Sequence, residues 1–80
     1  MSNNVGLYRA TIDEALDIKD LESLLASTGA LVHRVDQKEG QTVVYFSGEE
    51  ESLKGSRKTL AERGKFTLDA VSEEELLKLP

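Results

Sequence analysis

The sequence predicts an α+β fold with the element order β-α-β-β-α-β, and three observations predict it. Four segments carry strand signals, either period-two alternation or a run of β-branched and aromatic residues: Val5 to Ile12, Leu31 to Val35, Thr42 to Phe46 and Phe66 to Ala70. Two further segments carry helical spacing and helix punctuation, one from Asp17 to Gly29 and one from Glu49 to Gly64. No internal repeat, low-complexity run or Pro/Gly-rich linker divides the 80 residues, and the single proline is Pro80.

In the first strand Leu7, Arg9 and Thr11 share one face and Tyr8, Ala10 and Ile12 the other, because strand side chains alternate. Asp17 stands where an N-cap is needed, its carboxylate placed to accept from the free amides of the first turn. Ile18, Leu21, Leu24 and Leu25 then form an apolar stripe opposite Lys19, Asp20, Glu22 and Ser23, and Gly29 supplies the left-handed stop. Leu31 to Val35 reads as a short strand and Asp36-Gln37-Lys38-Glu39-Gly40 as a polar turn. Thr42 to Phe46 is the most β-prone stretch, so the two strands form a hairpin with Gly40 at positive φ.

Ser47-Gly48 end that strand, and Glu49, Glu50 and Glu51 face the positive end of a second helix dipole. This helix continues to about Arg63 and stops at Gly64. Its apolar face is thin (Leu53, Leu60 and Ala61), and the interior Gly55 implies close packing on the sheet, since glycine there costs about 1 kcal/mol relative to alanine. Phe66, Leu68 and Ala70 alternate with Lys65, Thr67 and Asp69 in a strand with one wet face. Ser72-Glu73-Glu74-Glu75 is a capping box that opens a terminal helical turn or two bearing Leu76, Leu77 and Leu79.

This order is the split βαβ, ferredoxin-like one. Four antiparallel strands lie in the order 4-1-3-2 with both helices on one face, leaving the opposite face to solvent or a partner. The expectation is one domain over residues 1–80, with a disordered N-terminus at 1–4 and a C-terminal helical tail at 73–80.

Composition narrows the function. The chain has 15 Asp+Glu against 10 Lys+Arg, a formal charge of −5, and is 39% hydrophobic and 31% charged, which suits a folded soluble domain. The net charge argues against bulk attraction to duplex DNA. The charge is unevenly spread: residues 13–22 carry −4 and residues 49–51 carry −3, whereas residues 54–65 carry +4. With no cysteine there is no disulfide, thiolate metal site or thiol nucleophile. No apolar run approaches the roughly 20 residues that span a bilayer, and Met1-Ser2-Asn3-Asn4 lacks the features of a secretion signal, so a cytoplasmic location is expected.

Catalytic motifs are missing. His33 is the single histidine, and the nearest acid in sequence, Asp36, is expected on the other face of its strand. Asp13, Glu14, Asp17 and Asp20 lack the EF-hand pattern and read as helix capping and solvation. Neither phosphate-cradling glycine motif occurs, nor does a nucleophile elbow. Lys54, Arg57 and Lys58, at i, i+3 and i+4, stack three cations on one helix face. They either pair with Glu50, Glu51 and Glu62 along the helix or form a site for an anion or acidic partner.

Two families share features with the chain. Leu7-Tyr8-Arg9-Ala10-Thr11-Ile12, with Asp17-Ile18-Lys19-Asp20-Leu21 and the closing Gly29, resembles an RNA-recognition motif. That resemblance implies that Tyr8 stacks on a base, while the third-strand stacking positions read Gln41 and Val43. Gly40-Gln41-Thr42-Val43-Val44-Tyr45-Phe46-Ser47-Gly48, a helix and then Gly64 resemble the second half of ACT-like regulatory modules. There the resemblance implies side-by-side dimers and a small ligand held at the turn after the first strand, here Asp13-Glu14-Ala15-Leu16.

The sequence is therefore read as a small non-catalytic binding or regulatory module that acts on another protein or on itself, as in a homodimer. Single-stranded RNA binding, ACT-like ligand sensing and acidic inhibition of a nucleic-acid-binding enzyme are the alternatives. The candidate sites are Lys54, Arg57 and Lys58 for an anion or partner, Tyr8, Val43 and Tyr45 on the free sheet face, and Leu76, Leu77 and Leu79 as a docking tail. No catalytic residue, metal ligand or cofactor is assigned, and neither duplex DNA nor a membrane is expected as a partner.

Overall fold

The strands assemble around the apolar side of the two middle ones. In the computed structural model, which describes residues 5–78, the elements are β1 (Gly6–Ile12), α1 (Ile18–Ser27), β2 (Leu31–Lys38), β3 (Gln41–Gly48), α2 (Glu50–Ala61), β4 (Phe66–Ala70) and α3 (Glu73–Leu77). The sheet order is β2-β3-β1-β4 with every neighbouring pair antiparallel, the ferredoxin-like topology the sequence predicts. Ala10 and Ile12 of β1 and Val44 and Phe46 of β3 meet Leu21 and Leu25 of α1 and Leu60 of α2, all seven fully buried. Burying a large aliphatic or aromatic side chain is worth about 1.5–3 kcal/mol, so these few residues supply much of the driving force. The expected disordered segment 1–4 and Leu79 lie outside the described residues.

Helix ends follow their caps. The Asp17 carboxylate accepts from the Asp20 amide at 3.1 Å, and Gly29, at φ 90°, follows the last turn of α1. α2 has no side-chain cap at Glu49 and ends at Ala61 instead of Arg63. Gly55 is close-packed, although against α1 and not against the sheet. A Cβ there would lie 3.2 Å from Thr28 Cβ, and the adjoining Ser56, fully buried, shares a 3.0 Å hydrogen bond with Thr28 Oγ1. Because Thr28 Oγ1 already donates to the Leu25 carbonyl at 2.6 Å, Ser56 is the donor in that pair.

The hairpin is tighter than the polar run at 36–40 suggests. β2 continues through Asp36, Gln37 and Lys38, and the loop is Glu39-Gly40 alone, at φ 52° and φ 79°. Two consecutive positive φ values make a type I′ turn, whose twist matches that of the flanking strands. The polar residues tolerate a strand because β2 is an edge with one solvated face. Glu39 is strained in this conformation, which costs an ordinary L-residue roughly 1–2 kcal/mol and asparagine less. Glu39→Asn is therefore expected to stabilise the protein by up to about 1 kcal/mol, read as a higher urea midpoint at unchanged slope.

A β-bulge between Val32 and Arg34 breaks the β2–β3 register. One extra residue reverses the side-chain parity, so His33 and Arg34 both oppose Tyr45. After the fourth strand the chain returns across the sheet face that α1 and α2 leave open. The Ser72 hydroxyl accepts from the Glu75 amide, as a capping residue should, while the Glu75 carboxylate reaches Arg9 Nη1 at 3.7 Å on that open face. Among the described residues no helix is long and apolar enough to cross a membrane.

Candidate interaction surface

Strand alternation decides what the open face displays. Cross-strand register lines up Asp69 of β4, Arg9 of β1, Tyr45 of β3 and Arg34 of β2 in one row. Arg9 Nη2 donates to Asp69 Oδ2 at 3.4 Å, and Arg34 Nε donates to Asp36 Oδ2 at 2.8 Å. Tyr45 in the middle of the row is only 6% exposed, despite facing away from α1 and α2. Hydrogen bonding to Tyr45 first, and to Asp69 second, holds the Arg9 guanidinium above its ordinary pKa. A raised folded-state value gives stability that is present below the unfolded value and lost only as pH climbs through the arginine range. The row is therefore insensitive to pH through Arg9 near neutrality.

Two expectations are corrected by this geometry, and one pair of alternatives is narrowed. Tyr8 does not share a face with Val43 and Tyr45. It pairs with Phe46, its ring 5.8 Å from the Phe46 ring on the helix side, and it lies back over Gly6, where a Cβ would strike its ring. The bulge puts His33 on the same face as Asp36, and His33 Nε2 bonds Ser47 Oγ at 2.8 Å. Lys54, Arg57 and Lys58 are all exposed, as expected, yet among the described residues none is in an ion pair with Glu50, Glu51 or Glu62. They sit on the outer side of the helix layer, away from the open sheet face.

The tail splits its leucines between two roles. Leu76 is half-buried and helps wall a groove of about 300 Å³ whose floor includes Leu7, His33 and Ser47, whereas Leu77 is 81% exposed. Val5 lies between this groove and a neighbouring one that Leu31 lines. Val5 and Leu31 are 62% and 63% exposed, so this one corner of the sheet collects three of the four large hydrophobic residues most open to solvent among the described residues. The sequence reading missed Val5 and Leu31. Both fall inside strand-like runs, and only strand order shows that the start of β1, the start of β2 and the tail meet.

At the opposite end, the turn after β1 is held from within. Thr42 Oγ1, fully buried, donates to the Glu14 carbonyl at 2.7 Å and accepts from the Leu16 amide at 3.0 Å, and the Gln37 side-chain amide donates to the Leu16 carbonyl. The backbone groups that an ACT-like reading would offer to a ligand are thus engaged by β2 and β3. Among the described residues no three acidic or histidine side chains converge as a metal site would require.

The fold just described is that of the ferredoxin-like α+β sandwiches. One solved structure with this fold is 30S ribosomal protein S6 from Thermotoga maritima, which matches with a TM-score of 0.58 over 94% of this chain and 95% of that one, at 12% identity. No family model and no curated protein matches the sequence.

Proposed function

We propose that the protein is a non-catalytic binding module that docks a partner protein on the corner formed by Val5, Leu31 and Leu77. The observation that carries this reading is that exposed Val5 joins two adjoining grooves, one lined also by Leu77, His33 and Glu73 and the other by Leu31, with Ser47 common to both. Apolar residues exposed singly are ordinary, but a contiguous patch with a polar rim is the pattern of an interaction site. A partner with a short apolar segment suits the groove, since its leucines would be desolvated against Leu7 and Leu76.

A second reading is that the partner includes RNA. It is supported by the fold likeness to a ribosomal protein and by Lys54, Arg57 and Lys58, which make no ion pair among the described residues. Recognition would then run mainly through phosphates, because Tyr45 and Phe46 are buried and Tyr8 and Phe66 pack on the core, leaving no exposed Tyr or Phe ring on the open face.

The test is a photo-crosslinking amino acid placed at Val5 or at Leu77 in cells that naturally make the protein, with Glu22 on the outer face of α1 as control. Protein adducts from the two corner positions and none from the control are expected. Adducts that contain RNA would transfer the function to the second reading. A corner as silent as the control would overturn both the surface and the proposal.

A further inference from the structure

β2 is a long free edge. Seven of its eight residues pair with β3 on one side, and among the described residues no strand covers the other. The turn fixes which backbone groups that edge presents. A two-residue loop closes on Lys38 and Gln41, which exchange both ladder hydrogen bonds, and antiparallel pairs alternate from there. Arg34, Asp36 and Lys38 therefore spend their amides and carbonyls on β3, while Val35 and Gln37 turn theirs outward. Hydrogen bonds to those outward groups are absent among the described contacts of the backbone outside the ladders.

The side chains along this edge say what fits it. Arg34, Asp36 and Lys38 alternate in sign on the open face, and Val35, half-buried on the helix side, is the apolar residue between the first two. Charges on an edge strand discourage indiscriminate pairing, yet this arrangement is complementary to itself read backwards. With a two-fold axis at Val35, each Val35 faces the partner's Val35 and exchanges both backbone hydrogen bonds with it. Arg34 then faces the partner's Asp36, and Asp36 faces the partner's Arg34. Sliding the copies to the neighbouring symmetric registers sets Asp36 against the partner's Asp36, or Arg34 against the partner's Arg34. Like charges directly opposite destabilise a strand pair, so both neighbouring registers are disfavoured, and the register about Gln37, which opposes Asp36 to the partner's Lys38, overlaps only residues 36–38 of each strand.

We infer that two copies of this chain pair antiparallel through β2, two-fold about Val35, to make one continuous sheet of eight strands. The Arg34–Asp36 pair seen within one strand becomes a four-charge cluster across the axis. This interface uses the sheet edge and does not rest on the corner surface: either can stand without the other.

The test is sedimentation of the purified protein at high micromolar concentration. The unaltered chain is expected to dimerise reversibly. Arg34→Asp and Asp36→Arg, each alone, put like charges across the axis and should weaken the dimer by about tenfold or more. An equimolar mixture of the two single variants should recover it as a heterodimer, because every opposed pair is then complementary. A chain carrying both substitutions restores the alternation and should dimerise again, which decides the matter if either single variant fails to fold by circular dichroism. A monomeric unaltered chain, a dimer indifferent to the single substitutions, or a folded double variant that stays monomeric would each overturn the proposal.

Discussion

Thr42→Val is expected to lower the unfolding free energy by about 3 kcal/mol, a large share of the stability of a domain this small. The substitution keeps the branched shape, so packing against Ile12 and Gln37, which flank it across the strands, is preserved. What changes is the accounting of hydrogen bonds. The Glu14 carbonyl loses its 2.7 Å donor and the Leu16 amide its 3.0 Å acceptor, both in a part-buried loop, while the hydroxyl site itself is fully buried. Leaving such groups unsatisfied costs roughly 1–3 kcal/mol each, more than the small gain from burying an extra methyl group. The effect appears as a lower urea midpoint with unchanged slope, because the surface exposed on unfolding is the same. Thr42→Ser, which keeps the hydroxyl, is expected to cost less. A valine variant within 0.5 kcal/mol of the parent, on the scale of ordinary surface substitutions at about that size, would show that water takes over both bonds.

Much of the fold is legible because single residues carry unambiguous backbone information. Asp17 and Gly29 bracket α1 as caps, and Phe66 to Ala70 alternates cleanly into β4. The same alternation already grouped Tyr8 with Ala10 and Ile12, which are core residues. Assigning Tyr8 to the free face came from likeness to another family's aromatic position, and the chain's own parity prevailed. The hairpin loop differs from its sequence signal for another reason. Asp36, Gln37 and Lys38 are poor strand formers in isolation, but on an edge their side chains reach water or the Thr42 and Leu16 polar groups. The bulge left no signal at all, since one inserted residue in Val32-His33-Arg34 is invisible without the partner strand.

The candidate site was less legible than the fold because it is assembled from three chain segments. Lys54, Arg57 and Lys58 could be grouped in advance, being neighbours on one helix. Val5, Leu31 and Leu77 could not, since their proximity exists only after β1, β2 and the returning tail are in place. Leu76 and Leu77 show the limit most directly. Adjacent in sequence and identical in chemistry, one faces the sheet and the other solvent, and only the direction of a five-residue helix decides which.

Gly55→Leu is expected to cost about 2–3 kcal/mol, within the range for overpacking a filled site. The first atom of any side chain there already meets Thr28 Cβ at 3.2 Å and Thr28 Cγ2 at 3.3 Å, and the contact is rigid because Thr28 is branched and its hydroxyl is bonded to Leu25 and Ser56. A leucine must push α2 away from the end of α1, breaking the buried Ser56–Thr28 bond as it does so. Gly55→Ala separates the two forces at work. Helix propensity favours it by about 1 kcal/mol, while the tight Cβ contact opposes it, so its net effect is expected to be small. Gly55→Ala combined with Thr28→Ser removes the methyl group that Cγ2 supplies and should release part of the propensity gain. Thermal unfolding of the three variants reads the balance: the leucine variant well below the parent, the alanine variant near it, and the double variant above the alanine one. A leucine variant as stable as the parent would mean that the helices are not locked at this point and that glycine is there for another reason.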